Sequence, residues 1–473
     1  METAPADSQQ SLRPRRWLAK ALDELGLIAL YQSTLDVKLL CLQRFVRLFG
    51  FGASTLILVA YLSDLGTSDT RTGLFMTLTL AGDVLISLLL TLVADNLGRR
   101  NVLALGALLM TASGTVFASA SNYWILLAAA VIGIITPSGN EIGPYRAIEE
   151  STLAHLTPTE QRSSIFAWYA LIGTAGSASG LITCGWVTTV LIRHKGWSAI
   201  EAYRVIYLVY ATIGLIKLVL SLLLSKKCEL ERHPSAESET ETTPLLGNTA
   251  SSKEHTSKFA LLPQLSRESG AILVELCLLF ALDAFASGLA PLSWITNYFH
   301  RRFHLSEGTI GSIFFSTSII SAVSILAAAS IAKRIGNVRT MVFTHLPSTI
   351  FLALLGLPSK LPPAVALLVL RACTQSMDTA PRSAFLSAVV LPSERTTVMG
   401  TVNVVKTLAQ SLGPLVTGVL VGKQLFWVAF LVAGCLKAAY DIGMLLLFVG
   451  RKTRDEKLPE VATDSDTTVR PGN

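Results

Sequence analysis

Twelve long apolar segments constrain the fold of this chain more than any other feature of its sequence. Each approaches the roughly 20 residues that an α-helix needs to cross the hydrocarbon core of a bilayer. Only helices and closed barrels satisfy every backbone polar group there. Charged residues make up 15% of the chain, whereas soluble domains carry about a quarter. The sequence therefore predicts an all-α membrane protein with twelve transmembrane helices. Numbered in order, these spans are 39–62, 73–94, 101–120, 123–143, 164–192, 204–225, 270–298, 309–332, 340–357, 362–380, 397–421 and 425–449.

Polar stretches divide the spans into two groups of six. Residues 226–268 are rich in Ser, Thr and Glu and contain few large apolar residues. Such a composition buries too little surface to order itself, so we expect a flexible linker. The predicted divisions are an N-terminal segment 1–38, a first six-helix half 39–225, the linker 226–268, a second six-helix half 269–450 and a tail 451–473.

Basic residues are distributed unevenly between the two sides of the membrane. If the N-terminus is cytoplasmic, the segments on that side hold 25 of the 39 Lys and Arg residues, and the opposite loops hold 8. Cytoplasmic loops carry the excess of Lys and Arg in membrane proteins, so we expect both termini in the cytoplasm. The net charge of +7 then follows from topology, and no nucleic-acid partner is expected.

Two motifs of the first half recur in the second half. The displacement is 238 residues for the first motif and 237 for the second, in which an acid lies three residues before a proline. This agreement predicts two parallel repeats of six helices, an arrangement typical of alternating-access transporters with a site between the halves. The matched residues are Gly73, Asp95 and Gly98 with Gly311, Lys333 and Gly336, and Glu141 and Pro144 with Asp378 and Pro381.

The string "DNLGRR" between spans 2 and 3 resembles the G-x-x-x-D-x-x-G-R-R/K motif of the major facilitator superfamily. The match places the acid of the motif at Asp95, its turn glycine at Gly98 and its basic pair at Arg99 and Arg100. Thr91 stands where the motif begins with glycine. In the family these residues latch the cytoplasmic side while the transporter faces outward. The resemblance implies the superfamily fold and a transporter.

Small residues predict close helix packing in spans 5 and 11. "GTAGSASG" in span 5 contains Gly173, Gly176 and Gly180, and "GPLVTG" in span 11 begins with Gly413 and Pro414. Small side chains let membrane helices approach closely. The second string is similar to a glycine-proline element of these permeases. Span 5 lacks the proline of the family's antiporter motif, so exchange is not inferred from it.

Ionisable residues inside the spans indicate where a solute or a proton would bind. Such groups are costly in a bilayer and usually face a partner or a water-filled cavity. Seven of the twelve lie in spans 1, 4, 7 and 10, which line the central cavity in the superfamily. The candidates for substrate or proton binding are Asp283, Asp378, Asp83, Glu141, Arg44, Arg47 and Arg371.

Asp283 is the first candidate for proton or substrate binding. It lies midway along span 7 within "FALDAFASG", whose small residues leave room for water or solute. Asp378 is the second candidate. Asp83 is at comparable depth, but in the superfamily span 2 lies more to the side of the cavity.

Five charges of the spans are interpreted as two clusters. Arg44 and Arg47 are one helical turn apart and are expected near Glu141, either as a static ion pair or, if Glu141 points away, as an anion-binding patch. Lys437 and Asp441, four residues apart in span 12, are expected to form a static pair within their helix.

These features predict a secondary active transporter that moves a small solute by alternating access. Embedded carboxylates can take up and release protons, which favours proton coupling. Uncoupled facilitative uniport is the alternative, and a transporter-like receptor or scaffold is a weaker one. The sequence has no nucleophile constellation, metal-binding cluster or phosphate-binding glycine loop, so we expect no enzyme activity, cofactor or metal. The expected partners are the solute, protons and the lipid bilayer, and the protein is expected to be monomeric.

A short motif in the linker bears on location. "ETTPLL" places Glu241 four residues before Leu245 and five before Leu246, as in an acidic dileucine sorting signal. Such a signal would direct the protein to a vacuolar or lysosomal membrane, so the expected location is the plasma membrane or a vacuolar or lysosomal membrane.

Overall fold

The computed structural model describes residues 27–133, 144–229, 267–389 and 395–449, together with Ile135 and Pro137. Within these ranges the chain is almost entirely α-helical, and no strand occurs. By length and composition, eight of the described segments could each cross a membrane, and Tyr123–Gly133 and Leu361–Thr374 are shorter apolar helices. Asp69–Leu97 and Asn337–Leu354 supply the remaining two of the twelve predicted spans. The predicted fold class is therefore confirmed.

The first half begins with a short helix, Leu27–Gln32, ahead of span 1. Its spans 1, 2, 3, 5 and 6 are single helices, whereas span 4 is a pair. Their bounds are Leu35–Asp64, Asp69–Leu97, Arg99–Ser119, Tyr123–Gly133 with Pro144–Leu156, Thr159–Lys195 and Ala199–Leu222. A 3-10 turn, Lys226–Cys228, follows span 6, so the first described residues of the predicted linker are ordered.

The second half repeats this plan, with spans 7 and 10 as helix pairs. The bounds of spans 7 to 12 are Arg267–Leu289 with Leu292–Phe303, Glu307–Ile335, Asn337–Leu354, Leu361–Thr374 with Thr379–Val389, Arg395–Gly422 and Phe426–Phe448.

Proline lies at each of the three interruptions. Pro137 follows the first helix of span 4, Pro291 precedes the second helix of span 7, and Pro381 is in the first turn of the second helix of span 10. Proline has no backbone N–H to donate, so it fits the first turn of a helix and interrupts an interior. A hydropathy window reads each pair as one span, because it sums side-chain polarity and ignores the backbone.

Backbone geometry confirms the internal duplication. Gly98 and Gly336, which are 238 residues apart, precede spans 3 and 9 and have φ of 86° and 83°. Glycine adopts such angles without a steric penalty. Ser293 of span 7 donates to the carbonyl of Thr55 in span 1, also 238 residues away, at 3.1 Å. Equivalent positions of the two halves thus meet at the interface between them.

The other repeated glycine allows helices of opposite halves to touch. A β-carbon added at Gly73 of span 2 would lie 2.5 Å from the carbonyl oxygen of Pro414 in span 11. One added at Gly311 of span 8 would lie 2.5 Å from the carbonyl oxygen of Leu181 in span 5. Both distances are far below van der Waals contact, so a larger residue would separate the halves.

The apolar core is continuous at one end of the bundle and divided at the other. We call the end where span 1 begins and span 12 ends the tail face, and the opposite end the far face. One large cluster joins residues of both halves, among them Tyr61, Phe117, Phe299 and Phe430. Each of the two clusters nearer the tail face belongs to a single half. The cluster of the first half contains Leu40, and that of the second half contains Phe280 and Met444. Among the residues that the structure describes, the halves therefore share a core only toward the far face.

Candidate functional site: a cavity between the halves

A cavity of about 470 Å³ lies between the two halves. Spans 1, 4 and 5 of the first half and spans 7 to 12 of the second half line it. Its basic wall residues are Arg44, Arg146, Arg371 and Lys437. In the part of the chain that the structure describes, no aspartate or glutamate lines this cavity. Its volume is within the range of pockets that hold small organic molecules.

An ion pair between the halves closes the bundle at the far face. The Arg301 guanidinium donates to both carboxylate oxygens of Asp69, with Nη1–Oδ2 at 3.0 Å and Nη2–Oδ1 at 2.7 Å. Nη2 also donates to Ser63 Oγ at 3.3 Å. Bidentate arginine–carboxylate pairs are geometrically specific. This one ties the second helix of span 7 to the start of span 2.

Hydrogen bonds between spans of opposite halves extend this closure. The Tyr203 hydroxyl donates to Glu307 at 2.9 Å, the Gly308 backbone N–H donates to Thr189 Oγ1 at 2.9 Å, and Trp186 Nε1 donates to Ser312 Oγ at 3.0 Å. These bonds link spans 5 and 6 with span 8 in its far-face half. Together with the shared core, they seal the far side of the cavity.

A buried carboxylate organises the charges of the first half. Glu149, in the second helix of span 4, is fully buried and accepts from Arg47 at 2.5 Å and from the Tyr169 hydroxyl at 2.6 Å. Lys217 of span 6 lies 3.7 Å from its other oxygen. A buried charge is tolerated when it is paired and hydrogen-bonded. Glu149 thus joins spans 1, 4, 5 and 6.

Arg44 connects this cluster to the cavity. Its guanidinium stacks 4.2 Å from the centre of the Tyr169 ring, and Nη1 lies 3.2 Å from the Tyr169 hydroxyl. Gly173 makes room for it, since an added β-carbon would lie 2.6 Å from Arg44 Nε. Gly176 and Gly180 likewise face backbone carbonyls of span 1. The glycine face of span 5 therefore positions a cavity arginine.

Asp283 lies at the centre of a second network, in the other half. It is 4% exposed and accepts from Lys437 Nζ at 2.6 Å and from Arg382 Nη1 at 3.2 Å. Arg382 also binds Asp378. Two predicted candidates, Asp283 and Asp378, thus meet through an arginine that the sequence reasoning did not select. Lys437 carries the network to the cavity wall.

The expected pair within span 12 is absent from the described contacts of Lys437 and Asp441. Lys437 binds Asp283, whereas Asp441 contacts Nδ1 of His345 at 2.9 Å and 3.0 Å. The prediction was wrong because partners on neighbouring helices approach closer than a residue four positions along the same helix. His345 also lines the cavity.

The string "DNLGRR" lies at the tail face, where a carboxylate caps span 3. Glu229 accepts from the backbone N–H groups of Arg99 at 2.7 Å and of Arg100 at 3.1 Å. It lies directly over Gly98, whose missing side chain leaves the space. The Arg100 side chain donates to the carbonyl of Leu222 at the end of span 6. A carboxylate at a helix N-terminus satisfies free N–H groups and complements the helix dipole.

Cys228, beside this cap, is outside the spans. Burial raises the pKa of its thiol to about 11, and the neighbouring Asp36 and Glu229 carboxylates contribute in the same direction. Asp36 itself accepts from the backbone N–H of Ser225 at 2.9 Å. The tail-face end of span 6 is therefore packed and hydrogen-bonded.

Several predicted residues lie apart from the cavity or outside the described residues. Asp83 is buried in span 2 and does not reach the cavity wall. Gly413 packs against Gly288 of span 7. The remaining predictions concern residues that are not described: the side chain of Asp95, Glu141, and the sorting motif Glu241, Leu245 and Leu246.

Sequence reasoning missed Glu149, Arg382 and Glu229 for one reason. All three lie just beyond a predicted span, in segments too polar for a hydropathy window. Glu149 and Arg382 belong to helices that continue spans 4 and 10 after their interruptions. The available signal was the repeated proline motif, since Pro144 begins one of these helices and Pro381 lies in the first turn of the other.

Comparison with known proteins agrees with this architecture. The Major Facilitator Superfamily profile matches residues 40–292 and 276–471. A Saccharomyces cerevisiae protein described as an uncharacterized membrane protein, YJR124C, is 35% identical over 436 residues, covering 89% of this chain and 96% of that protein.

Solved structures share the fold. A bacterial homologue of the human lysosomal transporter Spinster, in an inward-facing and occupied conformation, superposes with a TM-score of 0.66, 14% identity and coverage of 87% of this chain and 95% of that one. The nucleoside transporter NupG gives a TM-score of 0.65, 14% identity and coverage of 89% and 100%. At these identities the likeness establishes the fold alone. With the profile match over most of its length, the chain belongs to the major facilitator superfamily and is a multi-pass integral membrane protein.

Proposed function

We propose that this protein is a secondary active transporter that moves a small solute by alternating access and couples the movement to protons. The observation that carries the proposal is the polar cavity between two repeated halves whose described residues share a core at only one face. Rocking of one half against the other about such a site is how parallel-repeat transporters work.

The contact pattern supports an inward-facing state. The far face is closed by the Arg301–Asp69 pair and by the hydrogen bonds around Glu307. With both termini in the cytoplasm, as the distribution of basic residues favours, the tail face is the cytoplasmic side. Transport then requires the far-face contacts to break while the tail face closes, and Asp95, Gly98, Arg99 and Arg100 form the latch of the closed tail face.

The Asp283 network supports proton coupling. Lys437 lies on the cavity wall, and its ammonium donates a hydrogen bond to Asp283 at 2.6 Å. A proton on Asp283 would remove the charge that holds Lys437, and the freed ammonium could then bind solute. Solute at Lys437 would conversely favour protonation of Asp283. Asp378 shares Arg382 with Asp283, so it is the second carboxylate able to take the proton.

Reconstitution of the purified protein tests both parts of this proposal. Proteoliposomes containing a pH-sensitive dye are exposed to a solute panel, and solute uptake and proton movement are recorded together. We expect wild-type protein to accumulate a solute with accompanying proton movement. Asp283→Asn should abolish accumulation while leaving exchange down the solute's own gradient.

Glu201→Gln is the matched control, because Glu201 is exposed in the first turn of span 6, its described hydrogen bonds are to Ser198, and it is outside the network. It should accumulate solute like the wild type. Solute movement without accumulation in the wild type would favour uncoupled uniport. Accumulation by Asp283→Asn with unchanged pH dependence would place the proton site elsewhere, and no flux of any solute would favour the receptor or scaffold alternative.

A further inference from the structure

The charge balance of the cavity wall differs from that of the buried networks around it. Two of the basic wall residues have carboxylate partners, since Lys437 binds Asp283 at 2.6 Å and Arg146 binds Glu150 at 2.7 Å. Among the described residues, the Arg371 guanidinium has neither a hydrogen bond nor an ion pair. A guanidinium is always charged and carries five N–H donors. Arg371 therefore presents an uncompensated cation to the cavity.

A second charge of the same sign lies on the opposite half. Arg44 of span 1 is stacked on Tyr169, donates to the Tyr169 hydroxyl and lines the cavity. Cations thus reach the cavity from spans 1 and 10, one from each half. An anion bound between them would be attracted by both halves.

Polarity also changes with depth in the cavity. Odd-numbered spans run from the tail face to the far face, and even-numbered spans run back. On six spans the apolar wall residue is one or two turns nearer the far face than the polar one, or about 4–12 Å at 1.5 Å per residue. The pairs are Arg44 and Leu48, Ser177 and Leu181, Ser287 and Ile295, Ser321 and Phe314, Ser348 and Leu352, and Arg371 and Leu368.

We propose that the cavity binds a small amphipathic organic anion, with its acidic group at Arg371 and its apolar body toward the sealed far face. The uncompensated guanidinium selects the charge, and the leucine, isoleucine and phenylalanine side chains select an apolar body. Serine and threonine hydroxyls around the acidic end supply further donors. This inference rests on the proposed transport function and names its substrate class.

Ligand binding to the full-length protein in detergent tests the class without requiring transport. The probes are 4-phenylbutyrate, its neutral amide and the corresponding amine, which share an apolar body, together with acetate, which lacks one. Thermal unfolding is followed against probe concentration. We expect stabilisation by 4-phenylbutyrate at concentrations about tenfold or more below those needed for the amide, the usual loss when a charge-assisted hydrogen bond is removed. Acetate and the amine should bind more weakly still.

Arg371→Gln should remove the preference for the acid over the amide, and Arg371→Lys should keep it. Arg339→Gln is the matched control, because Arg339 is exposed near the start of span 9 and is remote from the cavity wall. The Lys variant keeps the test valid if the Gln variant fails to fold.

The outcomes separate the substrate class from the transport function. Equal stabilisation by acid and amide, preference for the amine, or no stabilisation by the acid would overturn the anion site. If proteoliposomes nevertheless accumulate a neutral or cationic solute, the transport proposal survives that result. Selective acid binding without flux would support the anion site and count against transport.

Discussion

Breaking the Arg301–Asp69 pair should shift the protein toward its outward-facing state. The pair consists of two charge-assisted hydrogen bonds at 3.0 and 2.7 Å that join the halves at the far face. Opening at the tail face and opening at the far face are alternatives, so a contact made only when the far face is closed stabilises the inward-facing state relative to the outward-facing one. Arg301→Gln removes the guanidinium and leaves the spans intact.

The size of the shift follows from the exposure of the pair. The Arg301 and Asp69 side chains are 33% and 18% exposed, between the surface case of about 0.2–1 kcal/mol and the buried charged bond of about 1.5–3 kcal/mol. We therefore take about 1–2 kcal/mol as the amount by which the pair stabilises the inward-facing state. Its loss would change the ratio of outward-facing to inward-facing protein by a factor of roughly 5–30.

A cysteine at the cavity residue Ser318 reports this ratio. In a background without exposed native cysteines, Ser318→Cys is labelled with a membrane-impermeant thiol reagent added from the far face. The labelling rate should rise roughly 5- to 30-fold in Arg301→Gln, in proportion to the outward-facing fraction. Arg302→Gln is the control, since Arg302 is adjacent, exposed and without a described ion pair. A properly folded Arg301→Gln variant that labels no faster than Arg302→Gln would refute the role of the pair as a far-face gate.

Four further predictions concern the tail face and the linker. Asp95→Asn should reduce transport while expression and membrane delivery stay normal, because the removed charge serves the outward-facing latch; wild-type flux would contradict the latch. Glu229→Gln should lower the free energy of unfolding by about 1 kcal/mol, the typical value of a helix cap, because an amide has one acceptor oxygen for the two N–H groups of Arg99 and Arg100. An unchanged melting temperature would argue against the cap. With Cys228 as the single cysteine, the rate of iodoacetamide labelling should rise about tenfold per pH unit beyond pH 9, because the thiol pKa is raised to about 11. A labelling rate that levels off near pH 9 would show an ordinary thiol. Replacing Leu245 and Leu246 with alanine should redirect a tagged protein from a vacuolar or lysosomal membrane to the plasma membrane, and an unchanged distribution would remove the sorting argument.

The sequence alone determined the spans, the duplication and the family. Hydropathy is a sum over neighbouring residues, so twelve apolar segments are visible without tertiary contacts. The spacing of Gly73 and Gly98 and its recurrence at Gly311 and Gly336 also reside in the chain, and the backbone angles at Gly98 and Gly336 agree with it. Charge placement identified Asp283, Asp378, Arg44 and Arg371 as costly groups in the membrane.

Only the tertiary structure decided which of these groups meet. Asp283 and Lys437 are 154 residues apart, and Arg47 and Glu149 are 102 apart, so neither pair is visible in local spacing. Each pairing depends on helix rotation, because successive residues turn by about 100° and one position changes the face on which a side chain lies. The interruptions of spans 4 and 10 mattered as much, since the helices after them carry Glu149 and Arg382 into the bundle. The sequence therefore identifies the charged residues of the spans. How the helices are rotated and packed decides which of these residues pair, and it leaves Arg371 as the cavity arginine without a partner among the described residues.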